Sequence, residues 1–238
     1  MKISNPTETR TVNEIQLLLE TLDLKGAHVL ELGCGKAEKT RTLAADGRII
    51  QITALEVDQV QHARNLAITD LPKVSFVLGG AESIPADDNH FDLVLMFKSL
   101  HHVPLDQMAN ALKEITRVLK PGGSAWISEP VYAGELNEVF RLFHDEKMVR
   151  EAAFAAVCHA VDSGLLTLGQ QLFFNTRSHF DSFAQFDQRM IQVTHTQHQL
   201  PEALYAQVRE KFSSYLGPDG ATFFNPQRVD HLLKPTTA

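Results

Sequence analysis

Apolar positions in the first half of the chain follow two alternating rhythms. Ile15, Leu18, Leu19 and Leu22 recur at the i, i+3, i+4, i+7 spacing of one helical face, and Thr11-Val-Asn-Glu14 ahead of them reads as a capping box. Short runs follow at His28–Leu32, Ile50–Glu56, Val74–Leu78, Asp92–Phe97 and Ser124–Glu129, the first stopped by Gly33 and the third set behind Pro72. The run at Asp92–Phe97 is almost wholly apolar, as a parallel strand covered on both faces requires. Met108, Leu112, Ile115 and Leu119 mark a helix that stops at Lys120-Pro-Gly-Gly123. Strands alternating with helices in this way predict right-handed crossovers and a doubly wound α/β sheet.

Beyond Pro130 the texture changes. Leu136, Val139, Phe140 and Phe143 open a helical pattern predicted to run to about Val161. Gln188–Thr194 reads as a strand, Glu202–Tyr215 as a helix and Ala221–Phe224 as a short last strand. Eleven of the 14 Phe lie at or beyond Phe140, so aromatic chemistry is concentrated here. Neither an internal repeat nor a low-complexity linker interrupts the chain. The expectation is one domain over residues 1–238, with a cofactor-binding half at 1–130 and a substrate or cap half at 131–238 that completes the sheet.

Composition narrows the class. With 44% hydrophobic and 21% charged residues, the 238-residue chain is neither disordered nor fibrous. At this length roughly 70% of the unfolded surface is buried, so no disulfide or metal is needed for stability. Lys plus Arg is 22 against 29 for Asp plus Glu, and the net charge of −7 argues against a nucleic-acid partner. Cys34 and Cys158 are too few for a secreted disulfide framework. Met-Lys-Ile-Ser-Asn-Pro lacks the apolar core of a signal peptide, and no apolar run reaches the ~20 residues of a membrane span. A cytoplasmic location is expected.

The strongest motif is Glu31-Leu-Gly33-Cys-Gly35-Lys-Ala37, between the first strand and a helix. Gly33 and Gly35 permit a tight turn and a close ligand approach. Glu56 closes the second strand 23 residues after Gly33, near the offset of about 20 at which a carboxylate meets ribose hydroxyls. A pyrophosphate site calls for Gly or Ala three residues past the second glycine, where this chain has Glu38. Glu31 would likewise repel a diphosphate but attract the ammonium of a methionine moiety. The charge pattern therefore favours S-adenosylmethionine over a nicotinamide dinucleotide.

These stretches resemble the class I S-adenosylmethionine-dependent methyltransferases, in the broad group of small-molecule and quinone-type enzymes. The resemblance is carried by Val29–Gly35, Leu55-Glu-Val-Asp58 with His62-Ala-Arg64, Ile84-Pro85 leading to Phe91-Asp-Leu-Val94, Leu100-His-His102, and Arg117–Gly123. It implies a Rossmann-like seven-stranded sheet, mostly parallel with the last strand antiparallel, and a helical cap region. It implies methyl transfer to a small molecule with release of S-adenosylhomocysteine. It also implies that Glu31 and Gly33 sit by the methionine part, that Gly35 permits close approach and that Glu56 takes the ribose hydroxyls. Val57 would pack on the adenine, Ala81 and Glu82 would meet its edge, and Phe97 would lie by the sulfonium. Cys34 belongs to the same loop, where its small volume accounts for it. Two departures stand out. Ala37 replaces the third loop glycine, which is tolerable at negative φ and costly at positive φ. Gly80 replaces the aspartate that contacts the adenine amino group, a role open to Glu82.

Lys98, Ser99, His101 and His102 follow the fourth strand, at the edge where α/β folds bind ligands. Lys98 beside a sulfonium needs an anionic substrate or a carboxylate, and Glu129 at the end of the fifth strand is a candidate partner. His101 or His102 is a candidate general base, with His102, Lys98, Glu129 and Tyr132 the expected substrate or catalytic groups. No metal is expected. His144-Asp145-Glu146 would diverge on a helix, and His195 with His198 reads as a loop pair. The Phe-rich tail (Phe173, Phe174, Phe180, Phe183, Phe186, Phe223, Phe224) is expected to form core and to line part of an apolar pocket. Two other functions compete: a regulatory protein that binds S-adenosylmethionine without catalysis, and a nicotinamide-dependent oxidoreductase. The methyl acceptor and the oligomeric state leave no mark in the sequence.

Overall fold

A parallel strand buried on both faces must be covered from both sides, and the alternation of side chains along it decides which cover each residue meets. In the computed structural model, which describes residues 1–192 and 200–236, seven strands form one sheet in the order β3-β2-β1-β4-β5-β7-β6. Five are parallel: β1 (Ala27–Leu32), β2 (Ile49–Glu56), β3 (Val74–Leu78), β4 (Phe91–Phe97) and β5 (Leu119–Pro130). β7 (Ala221–Leu233) runs antiparallel between β5 and β6 (Thr167–Phe180). The mostly parallel Rossmann-like sheet expected from the sequence is the one observed, with β7 alone reversed.

The alternation is visible on β4. Leu93, Leu95 and Phe97 join a core with α1 (Glu14–Thr21) and α2 (Glu38–Ala44), through Ile15, Leu18 and Leu43. Val94 and Met96 join the opposite core with α4 (Met108–Val118) and α6 (Lys147–Asp162), through Leu112, Ile115, Ala153 and Val157. Between these helices in sequence lie α3 (Gln59–Leu66), a 3-10 turn at Leu100–His102, and α5 (Glu135–Phe140). A third cluster, of Val139, Phe180, Phe186, Ile191, Val208, Phe212 and Phe223, is built with α7 (Phe183–Phe186) and α8 (Glu202–Ser213).

Register places the site. Leu32 pairs with Leu55 and with Met96, and Phe97 pairs with Ser128. The turn after β1, Glu56, Phe97 and Glu129 therefore leave the sheet at one edge.

Four expectations change. The first helix is capped by Asn13, whose side chain accepts from the Ile15 and Gln16 N–H groups at 3.0 and 3.1 Å, while Thr11 bridges to Asn175 of β6. The helix expected to reach Val161 breaks between Phe140 and Lys147, where the Asp145 carboxylate accepts the Lys147 N–H at 3.0 Å and starts α6 afresh. In place of a strand from Gln188, a π-helical turn spans Asp187–Ile191. Its wider winding brings Phe186 and Ile191, five residues apart, into the same aromatic cluster; residues 193 and 194 lie outside the described residues. The last strand extends to Leu233, and its partner β6 carries no alternating pattern because it is a sheet edge of mixed polarity.

Because Asn13 satisfies two otherwise orphaned donors, Asn13→Ala is expected to destabilise the protein by about 1 kcal/mol. A lower urea midpoint at unchanged m-value would report it.

Candidate functional site

Beyond Leu32 the backbone turns through Gly33 at φ 76° and Gly35 at φ 53°. A Cβ on Gly33 would stand 2.9 Å from the Ser99 Cβ, so side chain and backbone both exclude a larger residue there. Ala37 at φ 59° adopts the left-handed conformation as well. The replacement of the third loop glycine is thus the costly case, by about 1–2 kcal/mol, partly offset because the methyl group is buried. Glu56 fastens the turn from the neighbouring strand. Its Oε2 accepts the Gly35 N–H at 2.7 Å and its Oε1 the Asp58 N–H at 2.9 Å. Each carboxylate oxygen retains a second lone pair for a ligand hydroxyl.

A cavity of about 260 Å³ opens on this turn, bordered by Glu31, Gly33, Cys34, Glu38, Lys39 and Phe97. Glu31 is buried and accepts the Thr40 hydroxyl at 2.6 Å. Burial pushes its pKa up to about 7, against the opposing pull of Thr40 and Lys39. Burial, with Glu31 and Glu56 nearby, pushes the Cys34 thiol up to about 12, which leaves it inert as a nucleophile. The Lys39 ammonium lies 4.1 Å from the centre of the Phe97 ring and 2.6 Å from Glu14 Oε2. Val57 is 63% exposed and Ala81 is buried. Gly80 makes room for its neighbour, since a Cβ there would overlap the Glu82 carboxylate. Glu82 thus fills space that a side chain at position 80 would take.

On the other side of Phe97 lies a cavity of about 460 Å³, walled by Pro130, Leu136, Phe140 and Met190 and carrying Lys98, His101, His102, Glu146 and Arg150. Lys98 sits at φ 58°, a strained conformation for a side chain-bearing residue. Glu129 is neither solvent-facing nor hydrogen-bonded to Lys98. It is 1% exposed, accepts the Leu100 N–H at 3.0 Å, and holds His101 Nδ1 at 2.5 Å. An ionised carboxylate only accepts, so Nδ1 carries the proton and Nε2 faces Glu146 Oε1 at 3.7 Å. Glu146 in turn takes Arg150 at 2.5 Å and His144 Nε2 at 3.1 Å.

Sequence reasoning missed Glu146 and Arg150. The continuous helix it predicted would have scattered His144, Asp145 and Glu146, whereas the break before α6 turns His144 and Glu146 together. The i, i+4 pairing of Glu146 with Arg150 was the one signal on offer. His101, His102 and Glu146 bring three ligand atoms within 4.8 Å of one another. Arg150 pairs with Glu146, while Glu129 holds His101 through its Nδ1–H. His102 is exposed at the cavity rim.

Tyr132 does not line the cavity that holds Lys98. It borders a separate cleft with Ile3, Lys147 and Glu151, where burial and a hydrogen bond to Asp145 raise its pKa. The expected aromatic lining is also different: Phe180, Phe186 and Phe223 stack in the third core, Phe224 is 53% exposed, and Phe140 is the phenylalanine on the cavity wall among the described residues. His195 and His198 lie outside the described residues.

Residues 29–123 match the family model described as a methyltransferase domain. An uncharacterized methyltransferase of Synechocystis is 36% identical over 109 residues, covering 45% of this chain and 50% of that protein. Phthiotriol/phenolphthiotriol dimycocerosates methyltransferase of Mycobacterium tuberculosis is 35% identical over 102 residues, 43% of this chain and 37% of that one. The chain thus spans half or less of the length of these relatives. The YcgJ protein of Bacillus superposes with a TM-score of 0.68 at 17% identity, covering 94% of this chain and 98% of its own, a likeness of fold. Residues 29–123 are accordingly similar to a methyltransferase domain, within a chain that shares the fold of the YcgJ protein.

Proposed function

We propose that the chain transfers a methyl group from S-adenosylmethionine to a small-molecule acceptor and releases S-adenosylhomocysteine. The observation that supports this reading is that consecutive residues at the end of β4 border two cavities, Phe97 the smaller one edged by Glu31 and the glycine turn, and Lys98 the larger one of about 460 Å³. S-adenosylmethionine supplies, when bound, a methyl carbon already activated by its sulfonium. Glu56 offers its free lone pairs to the ribose diol, and Glu31 faces the methionine ammonium. Gly33, Cys34 and Gly35 allow the close approach. Val57 packs on the adenine, with Ala81 and Glu82 at its edge. The Phe97 ring, which already accepts the Lys39 ammonium, suits a second cation such as a sulfonium.

Alignment and exclusion of water are the main tasks left to the protein, worth roughly 7–11 kcal/mol in well-oriented systems. Glu129 fixes the His101 imidazole so that Nε2 is the atom that takes a proton from a protonated acceptor, and Glu146 stabilises the imidazolium. His102 contacts the acceptor at the rim. The space beside Lys98 favours catalysis over cofactor binding alone, and Glu31 with Glu38 at the turn disfavours a nicotinamide dinucleotide. The phthiotriol enzyme's name supports a small-molecule acceptor. No helix among the described residues is long and apolar enough to cross a membrane. The negative net charge supports a substrate other than nucleic acid, and two free cysteines suit a reducing compartment such as the cytoplasm.

Titration calorimetry with S-adenosylmethionine and S-adenosylhomocysteine is expected to show binding well below millimolar. Weaker binding by folded protein defeats the proposal. Glu56→Ala is expected to weaken it ten-fold or more, for a charge-assisted group worth about 1.5–3 kcal/mol. Glu31 makes a pH-dependent prediction. The fold favours the neutral carboxyl up to about pH 7, while the unfolded chain ionises near 4.5, so this group erodes stability as pH rises through that window. Glu31→Gln should therefore be more stable than the parent at pH 8, by on the order of 3 kcal/mol, with little difference at pH 4, and should bind S-adenosylmethionine less tightly. Urea midpoints at the two pH values check the first part, and a gap that does not widen contradicts it. Glu82→Ala is expected to weaken cofactor binding several-fold. Gly80→Asp in that background should restore it, because the new carboxylate takes the space the Glu82 carboxylate leaves; calorimetry of the double variant decides.

A further inference from the structure

We infer that the 460 Å³ cavity takes an acceptor carrying one anionic oxygen group, a carboxylate, on an apolar body, and that the Lys98 ammonium is its anchor. The word acceptor rests on the methyltransferase reading; the anion site itself does not. Lys98 is held where it is. Its N–H donates to the Ser128 carbonyl at 2.7 Å, and its φ of 58° is a conformation that lysine adopts only under constraint.

Among the described residues, the ammonium has no hydrogen bond and no ion pair. Surrounding protein lowers its pKa by desolvation, and Lys39 and Arg150 push in the same direction, against Glu14 and Glu129. The nearby carboxylates hydrogen-bond elsewhere, and of their oxygens Glu14 Oε1 is the one left without a partner. Glu14 holds Lys39 at 2.6 Å, Glu129 holds His101 and the Leu100 N–H, and Glu146 holds Arg150. Arg189, also on the cavity wall, donates to the His179 carbonyl and lies over the Phe180 ring, with no carboxylate partner among the described residues.

Lys98 and Arg189 are both exposed to the open cavity, where water solvates them. With Arg150 they set three cations against the Glu146 carboxylate in the lining, an excess of positive charge that an entering anion would meet. A sulfonium bound beside Phe97 would add to that excess. Pro130, Leu136, Phe140 and Met190 give the lining an apolar part for the body of such a molecule, beside polar groups such as Asn137, Ser178 and Gln227. An amphipathic organic acid meets both conditions, whereas a neutral or cationic acceptor leaves Lys98 unmatched.

The test compares two acids, octanoate and 4-hydroxybenzoate, with octanamide and 4-hydroxybenzamide, which keep the shape and remove the charge. Calorimetry is run on the full chain, free and saturated with S-adenosylhomocysteine, for the parent and for Lys98→Arg, Lys98→Gln and Lys98→Asn. Asparagine tolerates positive φ, so the last variant keeps the fold if glutamine does not. At least one acid should bind ten-fold or more tightly than its amide at pH 7. That ratio should persist in Lys98→Arg and fall to about one in the Gln and Asn variants, with S-adenosylhomocysteine affinity unchanged within about two-fold. A ratio near one in the parent, a ratio that survives loss of the lysine, or no binding of either acid at millimolar concentration overturns the inference. So does a parallel loss of S-adenosylhomocysteine affinity in the Gln and Asn variants, which would make Lys98 the partner of the cofactor's own carboxylate. Acid preference intact in a protein that fails to bind S-adenosylhomocysteine would instead overturn the methyltransferase reading and leave the anion site standing.

Discussion

The Glu56 carboxylate accepting the Gly35 N–H at 2.7 Å is the interaction on which the site depends. It joins β2 to the turn that leaves β1, two strands whose flanks are buried and whose ends alone meet solvent. In a parallel sheet covered on both faces, polar chemistry has nowhere else to gather than this edge. The register that pairs Leu32 with Leu55 and with Met96 then delivers Phe97 beside the same turn, and β5 adds Glu129 one residue beyond the Phe97–Ser128 pair. A slip of any strand by one residue would exchange its buried face for the opposite one and break the set.

Charge is distributed unevenly across Phe97. On the side of the glycine turn, Glu31 and Glu38 are balanced by Lys36 and Lys39 in the lining, and Glu56 supports the turn. On the other side, Lys98, Arg150 and Arg189 outnumber the carboxylates that face them. The Glu129–His101–Glu146–Arg150 chain ties the fourth and fifth strands to α6, so the helix that covers the sheet also closes the larger cavity. Strain is concentrated at the same sheet edge, with Ala37 and Lys98 both at positive φ.

The first half of the fold was legible because its strands are apolar on both faces and its helices on one, patterns that local spacing reports. Each of the first four strands lies within a residue of its expected range, while β5 begins at Leu119, five residues before the expected Ser124, through the Lys120–Gly123 stretch read as a helix stop. The cap was not legible. β6 mixes Gln, Asn, Arg and Ser with Leu and Phe, because an edge strand beside an antiparallel neighbour need not alternate. The break between α5 and α6 depends on an Asp145 turn that an apolar helical pattern conceals, and the winding at Asp187–Ile191 depends on Phe186 and Ile191 docking in one cluster.

The same division holds at the site. The spacing of Glu31, Gly33, Gly35 and Glu56 predicted from sequence that these residues act together, and the structure brings the Glu56 carboxylate onto the Gly35 N–H beside Glu31 and Gly33. The acceptor side was decided by tertiary structure. Glu129 was expected as a partner for Lys98 and is committed to His101; Tyr132 was expected inside and faces a different cleft; Glu146 and Arg150 enter from a helix distant in sequence. Local spacing determines what neighbouring residues can do together. Which carboxylate neutralises which cation depends on three-dimensional distance between segments, and only the folded chain sets that distance.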